Sequence, residues 1–123
     1  MNRGAKQEPS SDGWWILRDG EVLAAGEVAK TIVERTRGLL GKRAYEGALL
    51  LQHTSSVHSF GMHFAIDVAF LDRNLVVLDL TELRPWRIAL PRVRSRSVLE
   101  AEAGAFERWG LHVGDQLELR HGV

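Results

Sequence analysis

The 123-residue chain contains no cysteine. That absence excludes disulfides, thiolate nucleophiles and every zinc centre built on Cys ligands. Neither sign of charge is in excess, since 16 Lys and Arg balance 16 Asp and Glu. A protein that wraps nucleic acid by bulk electrostatics needs a positive surplus, so the balance argues against nucleic acid as a partner. Long apolar runs are missing as well. Ala48-Leu49-Leu50-Leu51 falls far short of the roughly 20 residues that span a bilayer, and no membrane insertion is expected. The opening stretch, MNRGAKQEPSSDG, has charge but no apolar segment of a secretory signal. The expectation is a cytoplasmic protein.

What is present is ordinary globular material: 45% apolar and 26% charged residues, well removed from the composition of disorder. At this length folding withdraws roughly two-thirds of the chain's surface from water, enough for one core without staples. Residues 1–12 are polar, carry nothing to bury and read as a flexible tail, leaving 13–123 as a single globular domain.

Along that domain the pattern is mostly that of strands. Trp14-Trp15-Ile16-Leu17 runs into Asp19-Gly20, a pair suited to a type I′ hairpin turn, with Glu21 to Val28 as the return strand. Thr31-Ile32-Val33-Glu34 has the spacing of a capping box and predicts a short helix to about Leu40, stopped by Gly41. From Ala48 to Leu83 strand patterns return: an apolar run to Gln52, a mixed stretch over Val57 to Phe64, then alternation through Ile66, Val68 and Phe70. Asp72-Arg73-Asn74 reads as a tight turn into Leu75–Leu83. Arg84 to Ser97 breaks the rhythm with two prolines and five arginines, a long connection for so small a domain. Val98 to Ala103 alternates again, Gly104 to Trp109 suits one helical turn stopped by Gly110, and Gly114-Asp115 turns into a last strand. The fold class expected is mainly β (α+β), a small antiparallel β-barrel or sandwich of about seven strands with one short helix packed on it.

Three blocks of sequence, in this order and spacing, resemble the domain of unknown function 192 family. They are Glu34-Arg35-Thr36-Arg37-Gly38-Leu39-Leu40, then Phe60 to Asp72 (FGMHFAIDVAFLD), then Val98 to Gly104 running on to Gly114-Asp115. The resemblance covers about Val22 to Leu119. It implies a small β-rich domain with one packed helix and no defined activity. Many members carry an export signal and Trp-Met-Lys-Asn in the central block, where this chain has His58-Ser59-Phe60-Gly61-Met62.

The segment from His53 to Asp67 gathers most of the candidate functional side chains. His53, His58 and His63 recur every five residues. In a straight strand that spacing sets neighbours on opposite faces some 17 Å apart, at about 3.4 Å per residue. Metal ligands must converge within about 2 Å of one ion, so no metal site is assigned. Asp67 stands among Phe64, Ile66, Val68 and Phe70, where a carboxylate faces solvent, caps a neighbouring loop or shares a cleft with a histidine. His63 has the same strand parity but lies about 14 Å along a straight strand, and His58 has the opposite parity, so a direct pair requires a bend near Gly61. Ser55, Ser56 and Ser59 lack the Gly-x-Ser-x-Gly elbow of a serine hydrolase. Phe60 and Met62 share parity with His58 and Phe64, a face suited to core packing or to a mixed pocket.

The second candidate is the arginine loop. Arg84, Arg87, Arg92, Arg94 and Arg96 accompany Trp86 with no acidic residue between them. Such a set suits phosphate, carboxylate or single-stranded nucleic acid, unless Glu100, Glu102 and Glu107 neutralise it.

No reaction-specific motif emerges, and no catalytic residue or cofactor is assigned. The function expected is a non-catalytic module binding a small ligand or a protein through 53–67 and 84–96, with His58, Phe60, Met62, His63, Asp67, Arg84, Trp86 and Arg87 as contact residues. Two alternatives stand beside it. One is a hydrolase or lyase using Asp67 with a histidine; the other is an anion- or nucleic-acid-binding arginine loop.

Overall fold

A computed structural model describes residues 13–29, 47–59 and 63–121, with the side chains of 27–29 excepted. The expected tail over 1–12, the helix over 31–40 with its capping box, and Phe60 and Met62 lie outside the described residues. Nine strands and one short helix make up the rest. The strands are β1 (Gly13–Arg18), β2 (Glu21–Ala29), β3 (Ala48–Gln52), β4 (Val57–His58), β5 (Ile66–Leu71), β6 (Val77–Leu83), β7 (Ile88–Ala89), β8 (Ser97–Glu102) and β9 (Glu118–His121). The helix, α1, is Ala105–Trp109.

Seven strands form one sheet in the order β6-β5-β8-β3-β2-β1-β9, and β4 and β7 form a separate two-stranded ribbon. Local chemistry sets the turns. Asp19 and Gly20 both take positive φ, 54° and 81°, which the tight β1–β2 hairpin demands. Asp72 closes the β5–β6 turn by accepting the N–H groups of Asn74 (2.8 Å) and Val76 (3.0 Å) on one carboxylate oxygen. Gly110, in the left-handed region, ends α1 and donates its N–H to the Glu107 carbonyl.

The sheet is mainly antiparallel, as expected, with one parallel pair among its described strands. β2 and β3 pair in parallel, from Gly26↔Ala48 to Ala29↔Leu51. Parallel neighbours cannot be joined by a tight hairpin and need a crossover; residues 30–46 are that connection. At the junction a Cβ on Gly26 would stand 2.8 Å from Ile16 Cδ1 and 2.9 Å from the Ala48 carbonyl oxygen, so only glycine lets β1, β2 and β3 approach this closely.

The sheet curls until its two ends meet at a single bridge, Val76↔Gln116. Val77 N–H donates to the Asp115 carbonyl and Gly114 N–H to the Val77 carbonyl, both at 2.8 Å. Beyond this short join the pairing stops, and the curl is not a closed barrel.

Two cores result. Inside the curl, Ile16, Leu23, Leu50, Ala69, Leu71, Val77, Leu99 and Leu117 pack with Ala105, Phe106 and Leu111 of the α1 segment. On the outer face Leu49, Leu51, Ile66, Val68, Phe70 and Val98 lie beneath Val57 and Ala89 of the ribbon. Strands β3, β5 and β8 are therefore buried on both sides, which is why Ala48–Leu51 reads as an unbroken apolar run. No helix among the described residues is long and apolar enough to cross a membrane.

Candidate functional site

The ribbon is the layer that carries most of the candidate residues. Val57 pairs with Ala89 and His58 with Ile88. Because strand side chains alternate, Val57 and Ala89 point into the outer core while His58 and Ile88 point to solvent. Ser59 clamps the ribbon's mouth. Its hydroxyl is fully buried, donates to the Arg84 carbonyl and accepts the Arg87 N–H at 2.8 Å. Its own N–H donates to the Arg87 carbonyl, and its carbonyl accepts the Trp86 N–H at 3.0 Å. Trp86 takes φ 62° to make the turn. Ser59 thus does structural work that its sequence position, next to a histidine, did not announce.

Fixed in this way, the ribbon and the following loop present apolar side chains to water. Trp86 is 62% exposed, Ile88 58%, Leu90 69% and Val93 93%. Ile88 and Leu90 follow at the two-residue period of a strand face, and Trp86 precedes them from the turn. The arginines around them divide by role. Arg92 is structural: it donates to Asp79 Oδ2 from Nε (2.9 Å) and stands at 2.8 Å from it through Nη2, with its guanidinium 4.4 Å over the Phe70 ring. Arg96 donates to the carbonyls of Val93 and Ser95, both at 3.2 Å. Arg84, Arg87, Arg94 and Arg96 pair with no carboxylate among the described residues. The carboxylates anticipated as partners of this loop form no ion pair with it among the described residues: Glu102 pairs with Arg108 at 3.2 Å, Glu107 is exposed and Glu100 is buried.

Asp67 sits elsewhere. It occupies β5 and faces into the curl, where Oδ2 accepts the N–H groups of Gly104 and Phe106, each at 3.0 Å. A carboxylate on a neighbouring strand thereby satisfies the free amides at the start of α1. His63 is exposed in the bend that precedes β5. His58 stands in the ribbon and Asp67 in the main sheet; Gly61 lies outside the described residues. The structure brings His58 together with Arg84, Trp86 and Arg87, and it does not bring either histidine to Asp67. Among the described residues no cluster of three or more His, Asp and Glu is arranged to hold a metal ion.

One residue went unmarked as a site in the sequence. Glu100, in the centre of β8, lies on the outer face between Leu49 of β3 and Val68 of β5 and is only 3% exposed. Loss of water pushes its carboxyl up from 4.5 to about 8. No hydrogen bond or ion pair of the described residues reaches it. The only sequence signal was a Glu framed by Val98, Leu99 and Ala101, which an outward-facing position would explain equally well.

Against known proteins, the chain matches the family model DUF192 (Uncharacterized ACR, COG1430) over residues 16–119. It is similar to a UPF0127 protein of Pyrococcus furiosus, 44% identical over 108 residues that cover 84% of this chain and 93% of the relative. A UPF0127 protein of Pyrococcus horikoshii is 33% identical, over 81% and 88% of the two chains. Among solved structures, a protein of unknown function from Novosphingobium aromaticivorans superposes with a TM-score of 0.70 at 18% identity, over 86% and 83%, a likeness of fold alone. The order of blocks read in the sequence, the curled sheet and these matches agree: the chain belongs to the DUF192 (UPF0127) family.

Proposed function

We propose that this chain is a non-catalytic binding module whose contact surface is the β4–β7 ribbon with the arginine loop. One observation carries the reading: Trp86, Ile88, Leu90 and Val93 stand more than half exposed within eight residues that hold no acidic side chain. Clustered exposed apolar groups rimmed by charge mark interaction surfaces. Side chains this exposed have no walls around them, so a protein surface covers them better than a small ligand does. The arginines without carboxylate partners favour an acidic patch on that protein, with the guanidiniums at the rim steering its approach. His58 and Ile88, paired across the ribbon, are the centre of the contact.

Less supports the acid–base alternative. Asp67 is bound to two backbone amides, and both histidines lie outside hydrogen-bonding arrangement with it. The test is a photo-reactive amino acid in place of Leu90, with cross-linking in cells. A single discrete adduct, lost when Arg84 and Arg87 become Glu while the melting temperature holds, supports the module. Adducts indifferent to that charge reversal overturn it. So does a hydrolytic turnover lost in Asp67→Asn with the fold intact.

A further inference from the structure

The join between the sheet's two ends leaves an open seam. Val77 uses its outward N–H and C=O on Asp115 and Gly114, and past that point β6 and the 110–113 segment diverge. The space between them is a groove of about 760 Å³. Leu80, Thr81 and Glu82 form one wall, and Phe106, Glu107 and Leu111 are among the residues of the other. A register shift between Phe70 and Leu71 of β5 precedes this stretch. Past it, hydrogen-bonding direction alternates so that Leu80 and Glu82 turn their backbone groups to the seam. The Leu80 N–H is met by the side chain of adjacent Asp79, at 2.9 Å. From Leu78 to Leu83 the edge is about 20 Å long, at ~3.4 Å per residue, room for a strand of about six residues.

We propose that this seam accepts an extended basic segment of a partner protein as an added strand on β6. Unpaired strand edges are templates for a further strand, which gains backbone hydrogen bonds from the edge and selectivity from alternate side chains. The selectivity here is legible in charge. Glu82 and Glu107 flank the groove, both exposed, and neither pairs with a cation among the described residues. Leu80, Phe106 and Leu111 supply an apolar floor between them. A second copy of the chain is the poorer occupant, because β6 (VLDLTEL) brings two acids and no base to meet Glu82 and Glu107. The seam lies on the inner side of the sheet, where Leu80 packs against the inner core, whereas the ribbon covers the outer face, so the two surfaces are separable.

The probe is a fluorescein-labelled ten-residue peptide of alternating Lys and Thr or Val, titrated into the full chain and followed by anisotropy. Two further peptides carry backbone N-methyl groups on alternate residues, one in each register. Strand addition uses the donors of one register only. One methylated peptide therefore binds at least about tenfold more weakly, equivalent to about 1.4 kcal/mol, while the other binds as the parent does. Glu82→Lys with Glu107→Lys, both at exposed positions, is expected to abolish binding with the melting temperature unchanged. Equal binding of both methylated peptides overturns the proposal. So does equal binding of a peptide with Glu in place of Lys, or amide shift changes confined to Ile88 and its neighbours. A concentration-dependent dimer that excludes the peptide overturns it in favour of self-association.

Discussion

Asp67 and Glu100 are carboxylates on adjacent strands of one sheet, one step apart in register, yet they face opposite cores. Asp67 pairs across from Ala101, and Glu100 across from Val68. Asp67 points into the curl, finds two backbone N–H groups at 3.0 Å and fastens α1 to β5. Glu100 points outward into a layer of Leu49, Val68 and their neighbours, and its carboxyl is raised to about 8. The contrast separates two fates of an acid within a sheet. One stabilises because ready-made donors replace its hydration; the other costs stability whenever it ionises, because no group of the described residues does so.

The largest effect should come from Glu100, which has no hydrogen-bond partner for its carboxyl among the described residues. The folded chain holds the Glu100 proton up to about pH 8, whereas an unfolded chain releases it near 4.5. Between those values the folded state binds more protons, so stability falls as pH rises through this window. Glu100→Gln keeps the shape and removes the ionisation. Its melting temperature should match the parent near pH 4 and exceed it at pH 8, by the equivalent of about a few kcal/mol. A Gln variant that keeps the parent's pH slope would mean that some other group produces it.

Asp67 predicts the opposite sign. Asp67→Ala leaves the Gly104 and Phe106 amides without their acceptor, which should cost about 1–3 kcal/mol. Hydrogen exchange should quicken at 104–109 and not in the ribbon, since the bonds lost belong to α1 alone. Asp67→Asn retains an acceptor oxygen and should recover part of the loss. The contrast between the two acids breaks if removing either one destabilises the chain at pH 8.

A third, smaller effect belongs to Ser59, a buried hydroxyl whose partners are all backbone. Ser59→Ala removes the acceptor of the Arg87 N–H and the donor to the Arg84 carbonyl, at a cost of about 1–2 kcal/mol. Because the bonds tie down the ribbon, limited proteolysis between Arg84 and Arg96 should accelerate more than global unfolding does.

What the sequence made legible was local. The Asp19-Gly20 hairpin, the Asp72 turn and the Gly110 helix stop each depend on one or two residues whose backbone preferences decide the geometry. For Asp67, capping a neighbouring segment was one of the readings open from its apolar surroundings, though not which segment, since α1 lies 37 residues further along the chain. Glu100 was illegible for a stronger reason. Alternation along Val98–Ala103 allows its face to be wet, and only the placement of β8 between β5 and β3, with the ribbon's layer over the outer core, makes it dry. The apolar stripe was half visible. Trp86, Ile88 and Leu90 have the period of a strand, but Pro85 and Pro91 bracket them and the stretch reads as a loop of arginines. Parallel pairing of β2 with β3 left no local trace, because it depends on where a crossover returns the chain.

Asp79 completes the series as a half-exposed carboxylate with a charged partner. Its Oδ1 accepts the Leu80 N–H and its Oδ2 receives Arg92, whose guanidinium also lies over Phe70. Water still reaches both partners, so Coulomb attraction is screened and the pair should be worth no more than about 1 kcal/mol. A double-mutant cycle with Asp79→Asn and Arg92→Met isolates that pairwise term from whatever either side chain does alone. The coupling should shrink as salt rises, because exposed charges are screened within about 8–10 Å at physiological ionic strength. The loss on removing Arg92 should outlast the salt, since its contact with Phe70 is packing as well as charge. A coupling above about 2 kcal/mol would place Asp79 with Asp67, as an acid whose partner replaces its water, and the contrast between a screened surface pair and an acid held by backbone donors would fail.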